Sequence, residues 1–187
     1  GYLTTCKKLC KKYNVLFIAD EIQTGVCRTG VLLACHHENI KADITILGKA
    51  LAGGFYPVSG VLTSKKIMDV MKVGQHGSTF GGNPLACVVA KEAIKYAIEN
   101  NLSEKAHKLG LIFRNYLNDQ INNLSIVKSV RGKGLLNAIV LNCDVNSEIP
   151  WNICLSMRDN GLLAKPTQGN KIRFAPPLVI TEKQLYS

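Results

Sequence analysis

The sequence predicts an α/β architecture, with a parallel or mixed sheet in the first half and a small α+β domain in the second. Three observations carry this. Short apolar runs at Val15–Ala19 and Ile44–Leu47 read as strands buried on both faces, and Val58–Leu62 is a third candidate strand. Segments of helical periodicity alternate with them. Beyond about residue 97, long helices are followed by short strand-like stretches. At ~100–200 residues per domain, 187 residues make one large domain or two small ones. The reading here is two parts, 1–97 and 98–187.

The elements follow in order. Residues 4–13 set Cys6, Leu9, Cys10 and Tyr13 on one helix face and lysines on the other. Val15–Ala19 forms a central strand ending at Asp20-Glu21, and Ile44–Leu47 forms another ending at Gly48-Lys49. A third strand at 58–62 leads into a helix over 64–73. A glycine-dense loop, 74–83, precedes a helix from Pro84 to about Asn100, with Asn83 as N-cap and Pro84 as first helical residue. A further helix spans 103 to about 122. Strand-like stretches at 126–130 and 135–141, a helix near 150–159, and strands near 162–165 and 171–175 complete the chain. The opening Gly1-Tyr2-Leu3 and the close at Ser187 read as the ends of a piece of a longer protein.

Composition narrows the function class. Hydrophobic residues at 47% and charged residues at 19% give a globular balance. No apolar run reaches the ~18–20 residues that span a bilayer. The net charge is +10, but 18 of the 23 basic residues are lysines scattered along the chain. Nucleic-acid readers lean on arginine and interleave aromatics, so the charge reads as a solvated lysine surface. Seven cysteines, with no Cys-x-x-Cys pair, form no zinc pattern with the four histidines. They read as free thiols of a reducing compartment.

Three features carry chemistry. Asp20 ends an apolar strand, and in open parallel sheets ligands bind outside the carboxyl ends of the strands. Its structural alternative is that Asp20 or Glu21 caps the next segment. Lys49 ends the next strand between Gly48 and Ala50, small neighbours that let a Schiff-base amine approach a ligand closely. The loop Gly77-Ser78-Thr79-Phe80-Gly81-Gly82-Asn83 offers amides, hydroxyls and a helix start, a natural phosphate cradle. One cofactor has the three matching handles of aldehyde, protonated ring nitrogen and phosphate: pyridoxal 5'-phosphate.

Phe17-Ile18-Ala19-Asp20-Glu21-Ile22-Gln23-Thr24-Gly25, Arg28-Thr29-Gly30, Leu47-Gly48-Lys49-Ala50-Leu51 and His76-Gly77-Ser78-Thr79-Phe80-Gly81-Gly82-Asn83-Pro84 resemble the class III aminotransferases of fold type I. Arg131-Gly132-Lys133-Gly134-Leu135-Leu136-Asn137-Ala138, Ala164–Thr167 and Ile172–Leu178 look specifically like the ornithine aminotransferases of that family. The resemblance covers essentially the whole chain. It implies a fold type I PLP-dependent transferase, here the C-terminal part of the large mixed-sheet domain plus a small α+β domain.

The resemblance also implies roles. Lys49 would hold the cofactor aldehyde as a Schiff base and then shuttle the substrate proton. Asp20 would pair with the pyridine nitrogen and Gln23 with the ring hydroxyl. Ser78 and Thr79 would reach the phosphate of the partner subunit's cofactor, which requires a homodimer. Arg173 would bind a carboxylate of 2-oxoglutarate or glutamate, and Arg28 would order its loop. The implied reaction moves the δ-amino group of L-ornithine to 2-oxoglutarate, giving glutamate 5-semialdehyde and glutamate. The rivals are an acetylornithine or 4-aminobutyrate aminotransferase and an inactive truncated paralogue. No metal, nucleic acid or membrane is expected, and the implied compartment is the mitochondrial matrix, with the cytoplasm as alternative.

Some positions depart from the family. Gln75, Gln168 and Asn170 stand where Glu, His and Asp are usual. The family's main phosphate-binding turn, the aromatic stacked on the ring and the residues that recognise ornithine's α-end would precede Gly1. The 187-residue piece alone is therefore not expected to transaminate.

Overall fold

The computed structural model describes residues 1–121 and 123–186. Two compact units are present: Gly1–Cys27 with Val31–Ser103, and Arg28–Gly30 with Glu104–Ser187. A three-residue excursion of the first half thus belongs to the second unit, which no linear boundary expresses.

The first unit holds a three-stranded mixed sheet, order β1-β2-β3. Strands β1 (Ile18–Asp20) and β2 (Ile44–Leu47) run parallel, with Asp20 opposite Ile46, and β3 (Gly60–Thr63) runs antiparallel to β2. Helix α1 (Tyr2–Lys12) is tied to this sheet through Asp43, whose carboxylate meets Lys7 Nζ at 2.6 Å and accepts the Phe17 amide at 2.8 Å. Lys7, followed by that amide, holds the Asp43 pKa below its usual value. Helix α2 (Lys65–Met68) is a single turn, and α3 (Pro84–Glu99) packs over a 3-10 helix at Lys49–Ala52. Leu47, Leu51, Ala52, Ala86 and Ala97 are buried in this unit.

Two expectations are corrected here. Val15–Ala19 is not a strand buried on both faces. Pairing starts at Ile18, β1 has one neighbour among the described residues, and Val15, Leu16 and Ile18 are more than half exposed. Just before β1, Phe17 donates its amide to the Asp43 carboxylate at 2.8 Å, and its carbonyl accepts the Asp43 and Ile44 amides at 2.9 and 3.3 Å. The helix expected over 64–73 ends at Met68: beyond Asp69 the Val70 and Met71 amides bond three residues back, to Ile67 O and Met68 O, so the chain tightens into turns.

The second unit is a four-stranded antiparallel sheet, order β4-β5-β7-β6. Its strands are β4 (Val127–Lys133), β5 (Leu136–Leu141), β6 (Lys165–Thr167) and β7 (Lys171–Phe174). β4 turns into β5 over Gly134-Leu135, where Gly134 takes φ +52. Helix α4 (Leu102–Ile121) supplies Ala106 and Leu109 to a core with the fully buried Leu135. The end expected for this helix, near residue 122, lies outside the described residues. Helix α5 (Ile149–Asp159) buries Cys154 against Ile139, Leu141 and Ile172. Phe113 meets Phe174 edge to face at 5.6 Å. A short α6 (Glu182–Tyr186) follows.

Candidate active site

The parallel pairing of β1 and β2 brings their carboxyl ends to one edge of the sheet. Asp20 closes β1, and Lys49 lies just past the end of β2. With Ile22, Gln23 and Thr24 they line one cleft of about 380 Å³. Lys49 also lines a second cleft of about 560 Å³ with Ala52, Gly54, Tyr56 and Ser59. The amine thus sits where two hollows meet. A larger cavity of about 700 Å³, near Asp43 and Ser64, lies toward the amino end of β2 and holds none of the predicted site residues.

Three side chains in the small cleft, Asp20, Gln23 and Lys49, keep polar atoms without a partner among the described residues. Asp20 Oδ1 accepts the Ile22 amide at 3.0 Å, while Oδ2 has no partner among the described residues. Lys49 and Gln23 make no side-chain hydrogen bond or ion pair among the described residues. A free carboxylate oxygen, a free amine and a free amide facing one space suit a ring N–H, an aldehyde carbon and a ring oxygen. The residues therefore fit pyridoxal phosphate. Lys49 itself takes φ +47, a left-handed backbone that costs a lysine ~1–2 kcal/mol. Such strain clusters at functional sites, because the surrounding fold must impose it.

Glu21 is the residue that sequence reasoning undervalued. Glu21 does more than cap the next segment, for it is only 2% exposed. Its carboxylate accepts the Ala34 and Cys35 amides at 2.9 Å each and the Thr24 hydroxyl at 2.5 Å, while its own amide donates to Ile46 O at 2.9 Å. A buried carboxylate satisfied in this way pins the loop that presents Asp20 and Gln23. Burial first, then Glu21, pushes the Cys35 thiol up to about 11. The sequence signal is an acidic pair at a strand end, where one carboxylate lines the cleft and the next points inward.

Ser78 and Thr79 belong to the same unit but do not line the cleft. They lie on an exposed loop, where Ser78 Oγ accepts the Gly81 amide at 2.8 Å. Asn83 caps α3, its Oδ1 accepting the Ala86 amide at 2.9 Å, with Pro84 at the first turn. In the second unit, Arg173 sits half-buried on β7, opposite Ala138 of β5 and Lys165 of β6. Among the described residues no cluster of histidine, cysteine and carboxylate could hold a metal ion, and all seven cysteines are free.

The whole chain, residues 1–187, matches the aminotransferase class-III family. The chain belongs to that family. Pyridoxal phosphate is the family's cofactor, and the fold is that of a fold type I transferase. The chain is 55% identical over 185 residues to the mitochondrial ornithine aminotransferase of Drosophila melanogaster, matching 99% of this chain and 42% of that protein. It superposes with a TM-score of 0.94 on the acetylornithine aminotransferase of Elizabethkingia anophelis, at 60% identity, covering 100% of this chain and 46% of that one. The ornithine aminotransferase of Toxoplasma gondii ME49 gives the same TM-score at 46% identity, covering 44% of its chain. The chain thus spans less than half the length of these relatives.

Proposed function

We propose that the whole protein is an ornithine aminotransferase, moving the δ-amino group of L-ornithine to 2-oxoglutarate to give glutamate 5-semialdehyde and glutamate. The observation that carries the chemistry is the meeting of Asp20, Gln23 and Lys49, each with a polar atom that has no partner among the described residues, in one cleft at the carboxyl ends of two parallel strands. The substrate class rests on similarity to proteins named ornithine aminotransferase in Drosophila, rat and fission yeast, at 54–55% identity.

When bound, pyridoxal phosphate supplies an electron sink that lets a proton leave the amine-bearing carbon of the substrate. Lys49 Nζ would hold the cofactor's aldehyde carbon at rest and, once the substrate amine has displaced it, would accept that proton and return it. The Asp20 carboxylate keeps the ring nitrogen protonated, since a cation beside a carboxylate stays charged. The Gln23 amide donates to the ring hydroxyl oxygen. The Arg173 guanidinium takes a carboxylate of 2-oxoglutarate in a two-pronged grip that a lysine does not reproduce.

The Ser78 and Thr79 hydroxyls serve a phosphate on the partner subunit, so the working unit is a homodimer. Their placement outside the cleft lined by Asp20, Gln23 and Lys49 supports this assignment. Several relatives carry "mitochondrial" in their names, and the mitochondrial matrix is the proposed compartment.

A second reading, acetylornithine aminotransferase, is favoured by the 60% identity to the Elizabethkingia structure. The two substrates share a primary δ-amine and differ at the α-nitrogen, which is charged in one and acylated in the other. Comparing kcat/KM for L-ornithine, N-acetylornithine and 4-aminobutyrate on the whole protein separates them. The proposal expects ornithine to lead by about tenfold or more. N-acetylornithine in the lead would establish the second reading.

A further inference from the structure

We propose that Arg28 is a positioning residue for the substrate-carboxylate end of the site, acting through the strand that carries Arg173. This rests on the role given to Arg173 above.

Within the second unit, Arg28 is bonded at two points. Its carbonyl accepts the Leu135 amide at 3.0 Å, and its Nη1 donates back to Leu135 O at 3.2 Å and to Pro176 O at 2.6 Å. Leu135 stands at the entry to β5 and is fully buried, and Pro176 stands just past the exit of β7. β5 and β7 are sheet neighbours whose register sets Ala138 against Arg173. Each gripped carbonyl lies three residues from that rung, one on each strand. A single guanidinium nitrogen therefore closes the open end of the strand pair on which Arg173 sits.

The local sequence explains why a side chain is needed there. Pro176 and Pro177 have no N–H, so the chain leaving β7 cannot continue the ladder by donation. The carbonyl of Pro176 receives its hydrogen bond from Arg28 instead. The residues beside Arg28 lie just as close to the hairpin: a Cβ on Gly134 would fall 2.4 Å from Thr29 C and 2.5 Å from Gly30 N.

Arg28 is half-buried and has no carboxylate partner among the described residues. Burial lowers its pKa, yet a guanidinium remains charged at neutral pH. A desolvated cation answered only by carbonyl dipoles is costly, and a plain stabilising role is served as well by an apolar side chain. What an apolar side chain cannot do is hold two carbonyls at a fixed separation. Misplacing a binding group by about 1 Å can cost ~10²-fold, so slack at this end is felt at the Arg173 fork.

The test uses the whole protein loaded with cofactor and measures the two half-reactions separately by single-turnover kinetics. Arg28→Met is expected to raise the apparent KM for 2-oxoglutarate by about tenfold, with the ornithine half-reaction changed less than about threefold. Arg28→Lys should recover part of the loss, because an ammonium can donate to both carbonyls. Arg173→Met is the control for the underlying reading. If it leaves the 2-oxoglutarate KM unchanged, the role of Arg173 fails, and this proposal fails with it. If Arg173→Met raises that KM while Arg28→Met slows both half-reactions equally, or neither, the proposal is overturned and the site reading stands. If Arg28→Met does not yield folded protein, Arg28→Lys is read by the same split, with equal slowing as the overturning result.

Discussion

Replacing Gly110 by alanine sets two effects of opposite sign against each other. Gly110 lies inside α4, where alanine is preferred over glycine by ~1 kcal/mol. Yet a Cβ there would stand 1.8 Å from Gly134 O and 2.4 Å from Gly134 C, where contacts under 3.0 Å essentially never occur. The neighbour is backbone, not a flexible side-chain tip. Its carbonyl accepts Arg114 Nη1 at 3.1 Å and Asn137 Nδ2 at 3.2 Å, so moving the turn disturbs two hydrogen bonds, one of them from a cation. Forcing a methyl into a packed contact costs ~1–3 kcal/mol. Weakening the bonds to a buried carbonyl adds ~1–3 kcal/mol. After subtracting the helix gain, Gly110→Ala should destabilise by about 3 kcal/mol. For a unit of this size the drop in Tm is ~10 °C or more. Scanning calorimetry of the whole protein reads it. A Tm that is unchanged or raised by a few degrees, as helix propensity alone predicts, would refute the close-packed hairpin.

Two further outcomes follow from local contacts. Asn83→Ala removes the α3 N-cap and the Asn83 Nδ2 bond to Phe80 O, and should cost ~1 kcal/mol, read as faster hydrogen exchange at the Ala86 amide; unchanged protection there would count against the cap. Glu38 accepts the Thr4 amide, the Thr4 hydroxyl and the Leu3 amide at the start of α1, which hold its pKa down to about 2 from 4.5. Because the folded pKa is depressed, the stabilisation is complete above pH 4.5 and is lost as the pH falls toward 2. The stability gap between the native protein and Glu38→Gln should therefore close across that window, and a gap independent of pH would contradict the contact.

Much of the site was legible because strand direction follows from chain direction. Two apolar runs joined in parallel must share a carboxyl edge, so Asp20 and Lys49 had to come close. Asn83-Pro84 was legible for a similar reason, since a cap bond and a fixed φ are local properties. The rest depends on contacts far apart in sequence. The left-handed backbone of Lys49 and the 3-10 turn it opens leave no signature in an apolar run. Glu21 reaches amides thirteen and fourteen residues away. The Arg28 grip spans 107 and 148 residues, and nothing in Arg-Thr-Gly announces that these residues join the second unit. The apolar runs also overstated burial, because hydrophobicity marks what a residue prefers and not whether this chain supplies a neighbour.

The central claim is that Lys49 is the amine that holds the cofactor. Borohydride reduction of the cofactor-loaded whole protein, followed by peptide mass spectrometry, tests it directly. The account predicts the phosphopyridoxyl mass on the peptide containing Lys49, and its loss, together with the visible absorption band, in Lys49→Ala. The label on another lysine, or a labelled and spectrally intact Lys49→Ala protein, would contradict it.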